Sequence, residues 1–252
     1  MAALPAPRTS RTVVALALLA LVATMLVRLP ARWGMALAPG GVSCEQATGS
    51  VWRGGCKGLH VAGLTLESAT WQLHPLALLR LGLGLDLQVD DPRVAGQARL
   101  DLSPGGRIEA HDLQAHLPID PGTLPLFPRG WGGELVLALD GMQWANGHPG
   151  SLHGSIHART LRRYAPPMEF GDYSLRFEQP PDANGRQLGQ LADEGGPLSL
   201  SGQLQLGSDG QYELNGFVAA RPEASPDLSH DLEILGPADG DGRRQFSLAG
   251  NF

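Results

Sequence analysis

The chain has 252 residues, a formal charge of −6 and only two cysteines, so it is long enough to bury a core without metals or a dense disulfide framework. No Lys/Arg run follows the N-terminus and the pI is about 5.7, which argues against nucleic-acid binding. Its 34 Gly and 20 Pro make about a fifth of the chain, below the roughly 25–30% of a disordered composition, and read as turn punctuation.

In chain order, the first element is a membrane-targeting segment. Arg8 and Arg11 precede an uncharged Val/Ala/Leu run, Thr12 to Val27, which Arg28 and Arg32 close. A small-x-small site exists at Ala36-Leu37-Ala38, but Pro39 follows it and Arg28, Arg32 and Trp33 interrupt the approach. These flanks favour a retained anchor, Thr12 to Leu29, over a cleaved signal. The run is short against the roughly 20 residues of a spanning helix, so flanking arginines would have to snorkel to the interfaces. Residues 1–32 are accordingly expected to be a cytoplasmic tail and single transmembrane anchor, and residues 33–252 one periplasmic domain. Basic residues on both flanks leave orientation open from charge alone. The cysteines orient it: Cys44 and Cys56, an even pair in an exported chain, predict a disulfide on the oxidising side.

The body alternates with period two, the pattern of strands with one buried face. Leu79, Leu81, Leu83, Leu85, Leu87 and Val89 take every second position, and Gly82 and Gly84 fall among the outward ones, where they would leave a flat surface open to close approach. The pattern recurs at Leu135/Leu137/Leu139, Tyr173/Leu175/Phe177, Leu198/Leu200, Leu204/Leu206, Tyr212/Leu214 and Phe246/Leu248, predicting about a dozen strands. Turns at Pro104-Gly105-Gly106, Asn146-Gly147, Asn184-Gly185 and Asp209-Gly210 make neighbours antiparallel. A parity switch near Asp112 predicts a β-bulge. One helix is predicted from about Pro226 to Leu235, capped by Ser225 and stopped by Gly236. Leu64-x-Leu66-Glu67 with Trp71, and Leu137-x-Leu139-Asp140 with Trp144, share one spacing, L-x-L-[DE]-x-x-x-W, which either a duplication or chance could produce.

No nucleophile elbow, P-loop, dinucleotide fingerprint or H-E-x-x-H occurs. His153 and His157 lie in an alternating, glycine-containing stretch and read as strand surface rather than metal ligands. Asp193-Glu194 and Asp239/Asp241 read as turn formers. The expectation is therefore a non-enzyme with no catalytic or metal residues and no cofactor. Trp52, Trp71 and Trp144 are structural or interaction candidates, with core packing favoured for the first two.

The membrane segment, Gly49-Ser50-Val51-Trp52-Arg53-Gly54, and a strand ending in Trp71-Gln72-Leu73-His74-Pro75 resemble the start of type II secretion system protein N. Gly171-Asp172-Tyr173-Ser174-Leu175, Gly195 to Gly202, Gly210 to Gly216, and Leu235-Gly236 with Asp241-Gly242-Arg243 follow the same family's order, so the resemblance spans nearly the whole chain. It implies an all-β fold, a curved antiparallel sheet forming an AsmA-like partial barrel behind an N-terminal transmembrane helix. It also implies a single-pass inner-membrane protein with its body in the periplasm, serving export of folded proteins. Implied partners are the secretin and inner-membrane platform components. The AsmA-like kinship raises the alternative of a lipid carrier, and the Cys44/Cys56 pair matches no required feature of the family.

Overall fold

A computed structural model describes residues 10–36, 41–61, 64–75, 77, 82–120, 129–145 and 148–251. Helix α1 (Ser10–Val27) and the short α2 (Ala31–Ala36) precede one antiparallel sheet of 13 strands in strictly sequential order, not closed into a barrel. The strands are β1 (Val42–Gly49), β2 (Arg53–Val61), β3 (Leu64–His74), β4 (Leu83–Asp90), β5 (Ala95–Leu102), β6 (Ile108–Pro118), β7 (Trp131–Ala145), β8 (His148–Tyr164), β9 (Pro167–Phe177), β10 (Gln187–Gly195), β11 (Leu198–Leu206), β12 (Gln211–Ala220) and β13 (Arg244–Asn251). Most neighbours are joined by short connections, which is what glycine turns between alternating runs dictate. Residues 119–130 separate β6 from β7, and the longest connection joins β12 to β13 and carries α3 (Pro226–Asp231) with a 3₁₀ turn, Leu232–Leu235.

The sheet is essentially one layer. A compact protein of 26.6 kDa exposes about 10,700 Å² by surface scaling, whereas this chain exposes 16507 Å². Burial is concentrated in two places. Cys56, Leu59, Leu66 and Ala69 form one cluster on β2 and β3, with Val42, Cys44, Val61, Trp71, Val89 and Val94 against it. Met168, Leu198, Val218 and Leu228 form the other, where α3 folds over the last strands. Ser225 caps α3 by accepting from the Leu228 N–H, Pro226 occupies its first turn, and Leu228 is driven into the cluster. Gly236 ends the 3₁₀ turn at φ 104°, so this segment has the boundaries its capping residues predict.

Local breaks in the pleat occur where the sequence changes parity. Asp112 sits at φ 51° opposite a register shift between Gln97 and Arg99, the predicted bulge. A second shift lies between Leu139 and Gly141, beside Asp140. Between Leu66 and Trp71, and between Leu139 and Trp144, the separation is odd, so both residues of each pair can face the same side only if the strand slips one position. β7 does this at Asp140, whereas on β3 the buried positions pass from Leu66 to Ala69 with the register against β2 unchanged.

α1 is apolar on every side, and Val13, Val14, Leu16, Leu18, Leu19, Leu21 and Met25 are 54–69% exposed. It falls short of the spanning segment expected over Thr12 to Leu29. Among the described residues no helix is long and apolar enough to cross a membrane. The helix has 18 residues, about 27 Å of rise against roughly 30 Å of hydrocarbon, and it opens on polar Ser10, Arg11 and Thr12.

Candidate interaction surface

Paired residues on adjacent strands point to the same side of a sheet, so the register assigns the faces. One row crosses all 13 strands as Thr48, Gly55, Thr70, Gln88, Gln97, Gln114, Ala138, Ser155, Arg176, Gln190, Gln203, Asn215 and Ser247. The row beside it runs Ala47, Cys56, Ala69, Val89, Gly96, Ala115, Leu137, Ile156, Leu175, Leu191, Gly202, Gly216 and Phe246. The first row sets mostly polar side chains on one face, and the second sets apolar ones on the other.

Over β1 to β6 the hydrophilic face is hollowed into a groove of ≈ 880 Å³, lined among others by Thr48, Arg53, Thr70, Gln72, Asp86, Gln88, Gln97, Arg99, Asp112 and Gln114. A ladder of polar contacts crosses its floor. Arg53 donates to Gln72 Oε1 at 3.0 Å, His74 Nε2 lies 2.7 Å from Asp86 Oδ2, and Arg99 Nε donates to Asp86 Oδ1 at 3.2 Å. Arg99 also faces Asp112 at 3.7 Å, so the bulge residue is recruited to the same ladder. The hydrogen bond from His74, joined by Arg99, holds the Asp86 carboxyl below its ordinary range. The groove offers amide, hydroxyl and guanidinium groups for hydrogen bonding to a polar partner.

A second polar cluster lies across β8 to β12. His157 contacts Glu194 at 2.9 Å and Ser155 at 3.1 Å, and Arg176 reaches Glu194 at 3.3 Å. The His157 hydrogen bond is the main reason the Glu194 carboxyl is depressed. Asp193, expected as a turn former, is in strand β10. It pairs with Arg221 and accepts from the Leu200 N–H at 2.9 Å, and these bonds outweigh burial and lower its pKa. Burial pushes the Tyr173 hydroxyl up to about 12, and it donates to the Phe170 carbonyl.

These shifts set the pH limits of the sheet. Depressed carboxylates contribute stability that is present above their unfolded pKa, about 4, and lost as pH falls through the folded value; the raised tyrosine contributes stability lost above about pH 10. Asp86 is 41% exposed and solvent-screened, so Asp193, at 14%, is the main acid-side group. Thermal melts should fall below about pH 4 and above about pH 10, and Asp193→Asn should flatten the acid limb. An unchanged acid limb in that variant rules the assignment out.

The structure bonds Cys44 to Cys56, with Cα atoms 5.9 Å apart, on the apolar face of β1 and β2. Trp71 lies over Gly54, where an added Cβ would sit 2.5 Å from the ring, and its Nε1 donates to the Val51 carbonyl at 3.0 Å. Trp52 is half-buried, and its carbonyl accepts from the Leu73 N–H at 2.7 Å. Trp144 is half-buried on β7 opposite Ile108. Gly82 and Gly84 differ from expectation. Gly84 is buried, with Asp101 Oδ1 3.3 Å and His74 Cβ 3.4 Å from an ideal Cβ, and Gly82 is half-buried against Leu102. Ala77 lies against both, its carbonyl accepting from the Gly82 N–H at 3.1 Å and its Cβ 3.5 Å from an ideal Cβ on Gly84, so neither glycine presents open surface. Of the run from Leu79, residues 79–81 lie outside the described residues, as does the Asn146-Gly147 turn. His153 and His157 are on strand β8, each beside a carboxylate, Asp140 and Glu194. Sequence reasoning missed the groove, because its lining residues come from six strands and only the register brings them together.

No solved structure matches this chain significantly. A curated relative, "Type II secretion system protein N" of Aeromonas hydrophila, is 28% identical over 245 residues, covering 92% of this chain and 94% of its own. The sequence model of "Type II secretion system (T2SS), protein N" matches residues 40–247, which contain nearly the whole sheet. The chain therefore belongs to the type II secretion system protein N family.

Proposed function

We propose that this chain is a non-catalytic assembly component of type II protein secretion, held at the bacterial inner membrane by residues 1–32, with residues 33–252 as a single periplasmic domain. Family membership supports the secretion role. The apolar, exposed α1 supports the anchor, with Arg28 snorkelling to offset the short span. The observation that carries the interaction role is the groove over β1 to β6, a hollow on a one-layered sheet that sets hydrogen-bonding side chains beside Trp71 and Leu87. Its hydrogen-bonding lining suits a protein partner, and the secretin and the inner-membrane platform components are the partners we assign. The Cys44–Cys56 disulfide fits the oxidising periplasm. Gln97→Arg, which places a long charged side chain in the groove from an exposed position, should abolish co-purification of the secretin and platform while leaving the circular dichroism spectrum unchanged. Full co-purification with a native spectrum would sink the groove as the interface.

The unbroken apolar row from Ala47 to Phe246 favours a second reading, lipid carriage along that face. Phospholipid in organic extracts of the detergent-free β domain distinguishes it; extracts without lipid dispose of it.

A further inference from the structure

α1 is joined to the sheet without a flexible tether. Only Arg28 and Leu29 separate its end from Pro30, which bridges to Ser50 at the β1–β2 connection. The Val51 N–H donates to the Leu29 carbonyl at 2.9 Å, Ala31 is 1% exposed, and an ideal Cβ on Gly34 would lie 3.2 Å from Val51 Cγ2. The β1–β2 connection is itself tied to β3 through Trp71 Nε1 on the Val51 carbonyl and the Leu73 N–H on the Trp52 carbonyl. The segment that follows α1, Leu29 to Gly34, is therefore held against one rim of the sheet. At that joint Arg28 and Arg32 are exposed and Trp33 is 60% exposed, immediately beyond a helix on which Val13, Val14, Leu16, Leu18, Leu19, Leu21 and Met25 are exposed. An amphipathic indole next to two cations at the end of an apolar helix has the chemistry of the headgroup layer.

We infer that the sheet stands on an anionic bilayer by its β1–β2 rim, with Trp33, Arg28 and Arg32 in the headgroup layer, and that the opposite rim, which carries α3, points away from the membrane. The inference rests on the reading that α1 enters the membrane. Odd-numbered strands then run toward the bilayer and even-numbered strands away from it. β12 alone, at 10 residues, separates the rims by about 34 Å. The groove, which includes Thr48 and Arg53, opens near the membrane, within reach of a membrane-held partner.

The test uses the full chain reconstituted in vesicles of phosphatidylethanolamine and phosphatidylglycerol, with phosphatidylcholine vesicles as control. A fluorophore is placed on Thr48→Cys at the near rim or on Glu223→Cys at the far rim, both exposed positions, and headgroup-spin-labelled lipid is the quencher. Thr48 should be quenched and Glu223 should not. Arg32→Glu with Trp33→Ser should lower Thr48 quenching in the anionic vesicles to the phosphatidylcholine level. Protein that fails to float with vesicles overturns both the anchor and this inference. Flotation with equal quenching at the two rims overturns this inference alone. Quenching at Thr48 that ignores the double variant overturns the headgroup contact.

Discussion

Replacing Phe177 with alanine should lower the unfolding free energy by about 3–5 kcal/mol, the range for removing a fully buried aromatic side chain. Phe177 is 1% exposed at the end of β9, and the sequence makes room for it on the β10 side. On β8 it faces Gly154, at φ 122°, where an added Cβ would approach the Ala138 carbonyl oxygen to 2.3 Å. On β10 an added Cβ on Gly189 would lie 2.6 Å from the Phe177 ring. The ring therefore fills space that Gly189 leaves empty, beside the Leu175 side chain. Urea unfolding followed by circular dichroism measures the loss. Gly189→Ala alone should also destabilise, and the double variant should fall short of the sum, because removing the ring removes the clash. A loss below about 1 kcal/mol for Phe177→Ala would mean that the sheet collapses around the site, and additive effects would mean that ring and glycine do not share it.

That dependence on glycine explains which features were legible in the sequence. Strand identity was readable because it needs only neighbours in the chain: Leu135/Leu137/Leu139 or Leu204/Leu206 declare a buried face within a few residues. The bulge at Asp112 and the α3 caps were readable for the same reason, since parity and capping are local. The faces of the whole sheet were less so. That Gln88, Gln97 and Gln114 stand in one row follows from register, which two turns and a bulge set jointly. The alternation also placed Gly82 and Gly84 outward. It could not show that Asp101, His74 and Ala77 close in on Gly84, so a glycine that looks like open surface is an accommodation for them. The helix propensity of the apolar N-terminal run was plain, whereas its fit to a bilayer depends on a few ångströms of length that residue pattern alone does not decide.

The same local-versus-joint distinction governs the second large effect. Reducing the Cys44–Cys56 bond, or replacing both cysteines with serine, should destabilise the sheet by about 3 kcal/mol on the chain-entropy model. The closed loop spans a sequence separation of 12. β1 is an edge strand, bonded through its backbone to β2 alone, so the covalent link is its main reinforcement apart from the α2 packing. Cys56 is buried between Ala47 and Ala69, and Cys44 packs on the same cluster, so the bond also anchors the first core. The loss should appear first at the edge: hydrogen exchange in β1 and at Val51 should rise before exchange in β5 to β9, because the edge opens at lower cost than the interior. Alkylating cells before lysis and labelling the denatured, non-reduced protein reports the thiols directly. Two reactive thiols would remove the disulfide from the native protein, and a double serine variant with unchanged unfolding and unchanged β1 exchange would show that α2 and the backbone ladder hold the edge by themselves.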